Sequence, residues 1–379
     1  METPPSIKEK LSKLSSGLQA KIRTGERDYQ PQPKTPISNW LVNTKRHCNG
    51  GRTVDAGLWL KQHCDDAGKI FLTMAGAGSS FQMGIVIGEL IRAGKIAAIS
   101  VTGANMEESL YRLVANSHYA YIPDYNELTE TEEKELDRAG LRRITDTFLP
   151  EDESVRIVLD SLMTLWREAE TTGNHLLWHE YFFKLFEREM IKFDPTANPD
   201  DCWLYQCWLH NVPVFVGGVE DSTMGNIFAW ASYNGNHLFL KGYKAENKAE
   251  KPLNPNIAHH SFRYMHRLAE WYMDEATEKP LAFVQLGGGI AADFPICVVP
   301  HLKKDYLADE PIETQESEIP AWAGFIEIHS SPMSFGSYSG AGGKEKITWS
   351  KLEPGAFICQ IYGDYTEHFP DIAALILSK

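Results

Sequence analysis

The sequence predicts an α/β protein, a doubly wound and mainly parallel sheet with helices on both faces, preceded by an N-terminal helical arm. Two observations carry this expectation: short β-type apolar runs alternate with helical periods, and the turns between them are short and rich in glycine. The runs Ile70 to Met74 and Ile96 to Val101 alternate with helical patterns at Ser80 to Arg92 and Met106 to Ala115, which makes a βαβα unit. Further β-type runs follow at Val212 to Val216, Leu281 to Leu286, Phe325 to Ile328 and Phe357 to Tyr362. Repeated βα units need crossover helices, and these cover both faces of a parallel sheet.

At the N-terminus, Ile7, Leu11, Leu14, Leu18 and Ile22 recur at helical spacing, the stripe of a short amphipathic helix. Tyr29 to Pro36 is rich in proline and has no apolar run, so it reads as an extended linker. The helix is then an arm that docks on its own body or on a partner subunit. Long helices are expected between Glu151 and Glu170, His175 and Lys192, and His260 and Asp274. Lys244 to Asn256 and the acidic Asp305 to Glu318 read as surface insertions. No clean linker follows residue 36, which divides the chain into an arm with its linker, 1–36, and a single domain, 37–379.

At 43% hydrophobic and 23% charged, 379 residues can bury a real core, and disordered and low-complexity classes are excluded. Thirty-seven Lys and Arg against 51 Asp and Glu give a net charge of −14. Such a field repels phosphate backbones, which argues against nucleic acid, and it suits a small cationic ligand. The most apolar stretch, Gly84 to Val101, is broken by Glu89, Arg92 and Lys95, so no membrane span is expected. The charged N-terminus lacks the apolar core of a secretory signal, and a cytoplasmic protein is expected. Cys48, Cys64, Cys202, Cys207, Cys297 and Cys359 form no CxxC pair and read as reduced thiols.

Sheets of this kind bind ligands at the carboxyl ends of their strands. The first loop there, Ala75 to Ser80, joins a strand to a helix as a dinucleotide site does, yet GxGxxG fails at its third glycine, and an ordinary tight turn is the alternative. Thr102-Gly103-Ala104 ends the next strand, with Glu107 and Glu108 expected in the first turn of the following helix. Those acids either complement the helix dipole or serve a ribose hydroxyl or a substrate ammonium. Leu286-Gly287-Gly288-Gly289 follows a buried-type strand directly, and three glycines are entropically expensive unless a ligand approaches the backbone. Asp293 would lie one turn into the next helix, within reach of the same cleft. The glycine-rich Gly336 to Gly343 leads to Glu345, Trp349 and Lys351. A lysine beside a tryptophan and a carboxylate is either a solvated surface residue or a desolvated amine able to form an imine. His175, His179 and Glu180 resemble a metal pair, but the order HLLWHE and the flanking aromatics favour helix packing, and no metal is expected.

Taken in order, these loops resemble the deoxyhypusine synthase family, which includes homospermidine synthases. Phe71 to Glu108 is similar to the family's strand, loop, helix and TTAGGxEED segment. Val219 to Gly225 resembles TDGSxGD, and Leu286 to Gly289 matches LGGG. Gly336 to Ala341 matches GSxSGA, Glu345 to Lys351 matches ExxxWxK, and Tyr362 to Asp364 matches YxD. The resemblance implies a Rossmann-like fold, NAD bound near a subunit interface, and a homotetramer built as a dimer of dimers. It also implies transfer of an aminobutyl group from spermidine through an imine on Lys351, with Asp293, Glu345 and Trp349 as the other catalytic positions. NAD contacts are implied at Gly76, Ala77, Gly78, Ser79, Ser80, Thr102, Gly103, Ala104, Glu108, Asp221, Gly288, Ser330 and Asp364. Substrate contacts are implied at Glu107, Asn226, Gly336, Ser337 and Tyr338.

Departures from the family pattern concentrate in the amine pocket. Asp293 stands where the family has a catalytic histidine, and it has a far lower reference pKa. Asn226, Phe335 and Tyr338 stand where the family has acids for polyamine ammonium groups, and Gly76 and Ala77 replace a Ser-Asn pair. The expectation is a divergent member that keeps the cofactor site and the lysine: an aminoalkyl transferase acting on a polyamine or related amine. One alternative is deoxyhypusine synthase proper, with a lysine of the hypusine-bearing translation factor as a protein acceptor. The other is an NAD-binding sensor or structural protein without catalysis. The arm resembles, in position, a family segment that covers a neighbour's active-site entrance.

Overall fold

The computed structural model of the chain describes residues 5–24, 36–234, 252–259 and 262–378. Most of the linker from Tyr29 to Pro36, the first part of the insertion from Lys244 to Asn256, and His260 lie outside the described residues.

Six strands form the main sheet: β1 Lys69–Met74, β2 Ile96–Thr102, β3 Val214–Gly217, β4 Leu281–Leu286, β5 Trp322–His329 and β6 Leu352–Tyr362. Their order across the sheet is β6-β5-β4-β1-β2-β3, and every neighbouring pair is parallel. The chain winds from β1 to one edge, returns to the other side of β1, and winds to the opposite edge. The reversal lies between β1 and β4, and in doubly wound sheets the crevice outside that point takes the ligand. Helices cover both faces, so β1 to β5 are almost wholly buried while the edge strand β6 exposes Glu353 to Gly355 and Tyr362, and aromatics fill the middle. The Phe71 and Phe283 rings stack with centroids 5.6 Å apart, and Trp322 meets Phe283 edge-on at 5.0 Å. Each such ring contributes roughly 1.5–3 kcal/mol by leaving water.

The helices that position the site are α1 Gly84–Arg92, α2 Gly103–Ala115, α3 Glu151–Thr172, α4 Thr223–Asn234, α5 Ile290–Ile296, α6 Glu345–Thr348 and α7 Tyr365–Ile376. Helix α1 starts later than the expected Ser80. Residues 76–83 form turns, Gln82 has φ +61°, and a Cβ at Gly84 would come within 2.1 Å of the Asp201 carbonyl oxygen. Helix α2 starts earlier than expected, at Gly103, because the Thr102 hydroxyl caps it by accepting from the Asn105 N–H. Glu107 and Glu108 therefore occupy its second turn, not its first. The expected helix from His175 to Lys192 shortens to Trp178–Glu187, and Leu176–Leu177 pairs with Ala258–His259 instead.

The arm is not one helix. It folds as two short helices, Ile7–Leu11 and Ser16–Lys21, and a strand Arg23–Thr24. That strand joins an antiparallel sheet with Ala120–Tyr121, Thr147–Leu149 and Arg142–Ile144. Leu14, Leu18 and Ile22 share a second core with Ile122, Leu136, Leu141 and Phe148. The buried Lys10 ammonium pairs with the Glu153 carboxylate of α3 at 2.6 Å. The arm thus docks on its own chain. None of the six cysteines is paired, and no helix among the described residues is long and apolar enough to cross a membrane.

Candidate functional site

The candidate cofactor residues fall at the carboxyl ends of the six strands. Gly76 to Ser80 follow β1, Thr102 to Ala104 bridge β2 and α2, and Asp221 follows β3. Gly288 follows β4, Ser330 follows β5 and Asp364 follows β6. Winding alone places these distant segments along one edge of the sheet.

The turn after β1 is held from inside. Asn105 Nδ2 donates to the Gly76 carbonyl at 2.6 Å, and its Oδ1 accepts from the Ser79 N–H at 3.1 Å. The Ser79 hydroxyl donates to the Asn105 carbonyl at 2.6 Å and accepts from Trp203 Nε1 at 2.9 Å. Ser79 is therefore committed to shaping the turn. Gly78 is likewise a packing position, since a Cβ there would meet the Met74 sulfur at 2.4 Å. Tyr365, at the start of α7, donates from its hydroxyl to the Ala75 carbonyl at 2.9 Å. Ser80 Oγ donates to Glu108 at 2.5 Å, and Arg112 Nη2 donates to the Ser80 carbonyl at 3.1 Å. Burial pushes the Glu108 carboxyl up to about 7, against the opposing pull of the Ser80 hydrogen bonds.

Ser80, Arg112, Tyr119, Tyr121, Asp364 and Glu367 line a cavity of about 740 Å³. Its volume and its aromatic, cationic and acidic lining fit a nucleotide-sized ligand. A second cavity of about 560 Å³, lined by Arg52, His329, Ser331, Gln360 and Tyr362 among others, adjoins Ser330 at the ends of β5 and β6. At Gly288 a Cβ would lie 2.1 Å from Ser339 Oγ, so this glycine lets the loop of residues 336–343 close over the end of β4.

The backbone of Lys351 lies elsewhere on the sheet. Lys351 stands at the head of β6, where its carbonyl accepts from the Trp322 N–H at 3.2 Å and its own N–H donates to the Lys346 carbonyl at 3.0 Å. Its backbone is thus at the amino end of the β5–β6 pair, opposite Ser330 and Asp364. Lys351 is buried, with Nζ 6.0 Å from the centre of the exposed Trp349 ring, and Glu345 is exposed. Between these residues sits Lys346, only 4% exposed, its Nζ 4.4 Å from the Tyr338 ring centre and 5.5 Å from that of Phe325. Glu327, Lys351, Asp293 and Glu345 all act electrostatically on Lys346, whose amine burial draws below its ordinary value. Three of the four candidate catalytic residues, Lys351, Asp293 and Glu345, are therefore within electrostatic reach of a lysine that the sequence did not single out.

Beneath them runs a polar row. Strand register sets Gln360, Glu327, Gln285, Thr73 and Ser100 level across five strands, on one face. The fully buried Glu327 accepts from Gln285 Nε2 at 2.6 Å and Gln360 Nε2 at 2.9 Å, and burial raises its carboxyl. Thr73 Oγ1, Ser100 Oγ and Gln285 Oε1 have no hydrogen-bond partner among the described residues.

The candidate substrate positions divide. Glu107 is held by backbone: its two oxygens accept from the N–H groups of Thr223 and Met224 at 2.7 and 2.8 Å, so it caps α4 from a neighbouring helix. Burial pushes its carboxyl up to about 8. Asn226 is exposed and donates back to the Ser222 carbonyl at 2.7 Å. Ser337 Oγ lies 2.6 Å from Ser331 Oγ, and Gly336 has open space where a side chain would go. The Tyr338 hydroxyl is buried without a hydrogen-bond partner among the described residues, and Asp293, in the first turn of α5, disfavours its ionisation after burial itself. His179 lies within 2.8 Å of the Tyr264 hydroxyl, and burial holds its ring at about 3, a neutral packing residue.

Asn105, Lys346, Glu327 and Gln285 escaped the sequence reading. For two of them a signal was present, because Gln285 in LAFVQL and Glu327 in GFIEI interrupt runs that are otherwise apolar.

The family model for deoxyhypusine synthase matches residues 48–376. A protein named probable deoxyhypusine synthase from Thermoplasma acidophilum is 23% identical over 296 residues, 77% of this chain and 77% of its own. One so named from Methanothermobacter thermautotrophicus is 23% identical over 330 residues, 87% of this chain and 89% of its own. A protein named deoxyhypusine synthase from Neurospora crassa is 21% identical over 296 residues, 76% of this chain and 70% of its own.

Proposed function

Because the chain belongs to the deoxyhypusine synthase family, we propose that it is an NAD-dependent transferase that moves an aminoalkyl group from a polyamine-like donor to a second amine through an imine on Lys351. The observation that carries this reading is buried Lys346, whose Nζ lies 4.4 Å from the Tyr338 ring centre and within electrostatic reach of Lys351, Asp293 and Glu345. The candidate cofactor loops share the carboxyl ends of the strands, and the cavity bounded by Ser80 and Asp364 has room for a nucleotide. NAD, when bound, would supply a reversible hydride acceptor. Ser80, Asp364 and the loops at Thr102 to Ala104, Asp221, Gly288 and Ser330 are the residues that would hold it.

The chain's own groups then have separable tasks. Trp349 offers a π face to an alkylammonium, and Glu345 offers it a counter-charge. Burial of Lys351 keeps water from an imine formed there. With Asn226, Phe335 and Tyr338 in place of acids, spermidine is expected to bind weakly, and a donor with fewer ammonium groups fits better. A homotetramer in the cytoplasm belongs to the same reading.

Purified protein incubated with NAD, spermidine and putrescine, and analysed by mass spectrometry, is expected to yield diaminopropane and homospermidine. Lys351→Ala is expected to lower turnover by about 10³-fold or more and to leave NAD affinity unchanged. A variant that still turns over removes the imine from the mechanism. Neither product, with NAD bound, points to a non-catalytic protein, and an aminobutyl group found on a lysine of the translation factor points to a protein acceptor.

A further inference from the structure

A lysine is seldom buried without a partner, because its ammonium loses hydration that must be replaced. Lys346, on the four-residue helix α6, is such a case. Its amine faces the rings of Tyr338 and Phe325 and has no hydrogen-bond acceptor among the described residues. The titratable groups around it come from every packed element: Glu327 and His329 of β5, Asp293 of α5, Glu345 on its own helix, and Lys351 just beyond. Glu327 is already occupied by two glutamine amides, so it offers Lys346 an attractive charge without a direct contact. The hydrogen bond from the Lys351 N–H to the Lys346 carbonyl, with Ser350 at φ +59° between them, closes a tight turn that brings the backbones of the two lysines together.

We propose that Lys346 is the base of this site, taking the proton that the Lys351 ammonium must lose before Lys351 bonds to the carbon of the incoming aminoalkyl group. The proposal rests on the imine reading given above. In this step an N–H bond of Lys351 breaks, and its electron pair forms the new C–N bond to the electrophilic carbon. The proton passes to Lys346 and is returned to the amine that leaves the same carbon, so charge and atoms balance. Burial draws the Lys346 amine below its ordinary value, toward the uncharged form that can accept a proton. The Tyr338 face and the Glu327 carboxylate stabilise the ammonium once it forms.

The test is single-turnover formation of the lysine adduct in the presence of NAD and spermidine, trapped with borohydride, located by peptide mapping and followed against pH. Lys346→Met is expected to slow trapping at neutral pH by about 10²-fold or more and to recover as the solution becomes alkaline. Ethylamine added to Lys346→Ala is expected to restore part of the rate. Lys346→Arg keeps the charge but not the base, so it should be as slow as Lys346→Met while melting like the wild type; if the Met variant fails to fold, the Arg variant decides. An unchanged rate and pH profile in Lys346→Met, or full activity in Lys346→Arg, overturns the proposal. An adduct on Lys346 instead of Lys351 also overturns it. A wild type that traps no adduct on any lysine overturns the imine reading itself.

Discussion

Neighbouring acids on one helix have taken different work. Glu107 feeds two amides of α4, and Glu108 accepts the Ser80 hydroxyl beside the candidate cofactor cavity. The Glu108 carboxyl is raised by burial from its ordinary 4.5 to about 7, so the fold binds its proton more tightly than the unfolded chain does. Its contribution to stability is full below the ordinary value and is lost as pH rises through about 7. Glu108→Gln keeps an uncharged acceptor at every pH. The variant is expected to match the wild type near pH 5 and to be more stable by about 1–3 kcal/mol at pH 8. Melting curves that stay parallel across that range would show the carboxyl to be unperturbed. Glu107 and Glu108 were visible as a pair in the sequence, but their separate roles were not. Glu107 meets residues more than a hundred positions away, and no local pattern reports that meeting.

The elements split by length in how well their sequence announced them. The 22 residues of α3 carry a full apolar stripe and start at Glu151 as expected. The strands of the small sheet have two or three residues each, too short for any period to register. The arm shows the same limit, since its stripe is real but Ser12 and Ser15 break it into two helices. Its docking is anchored by the Lys10–Glu153 pair, both side chains nearly out of water. Lys10→Met leaves a buried carboxylate uncompensated and is expected to cost about 3–5 kcal/mol of local stability. Hydrogen exchange should quicken in residues 14–24 and 120–149, and Lys10→Met with Glu153→Met should recover most of the protection. Unchanged exchange in the single variant would mean the pair contributes nothing to docking.

At the scale of the whole molecule, the winding order is the decisive fact. It lines six strand-end loops along one edge and leaves the backbone of Lys351 at the other end of the β5–β6 pair. Trp40, Trp230 and Phe262 are large apolar side chains left 53%, 42% and 92% exposed, and the proposed homotetramer is open to direct measurement. Sedimentation equilibrium at micromolar concentration is expected to give four times the chain mass. A monomer under those conditions would remove the tetramer from the proposed function.

The alternation of β-type and helical periods, the order of the glycine loops and the kinship to a family of synthases are all legible in the residues, because each depends on neighbours within a turn or a strand. The burial of Lys346, the level row through Glu327, the commitment of Ser79 to Asn105 and the capping of α4 by Glu107 are not. These depend on register between strands and on which loop the winding brings beside which. Burial, which moves proton affinities, is set by atoms far away in the chain, and so the chemistry of this site was decided by the tertiary structure.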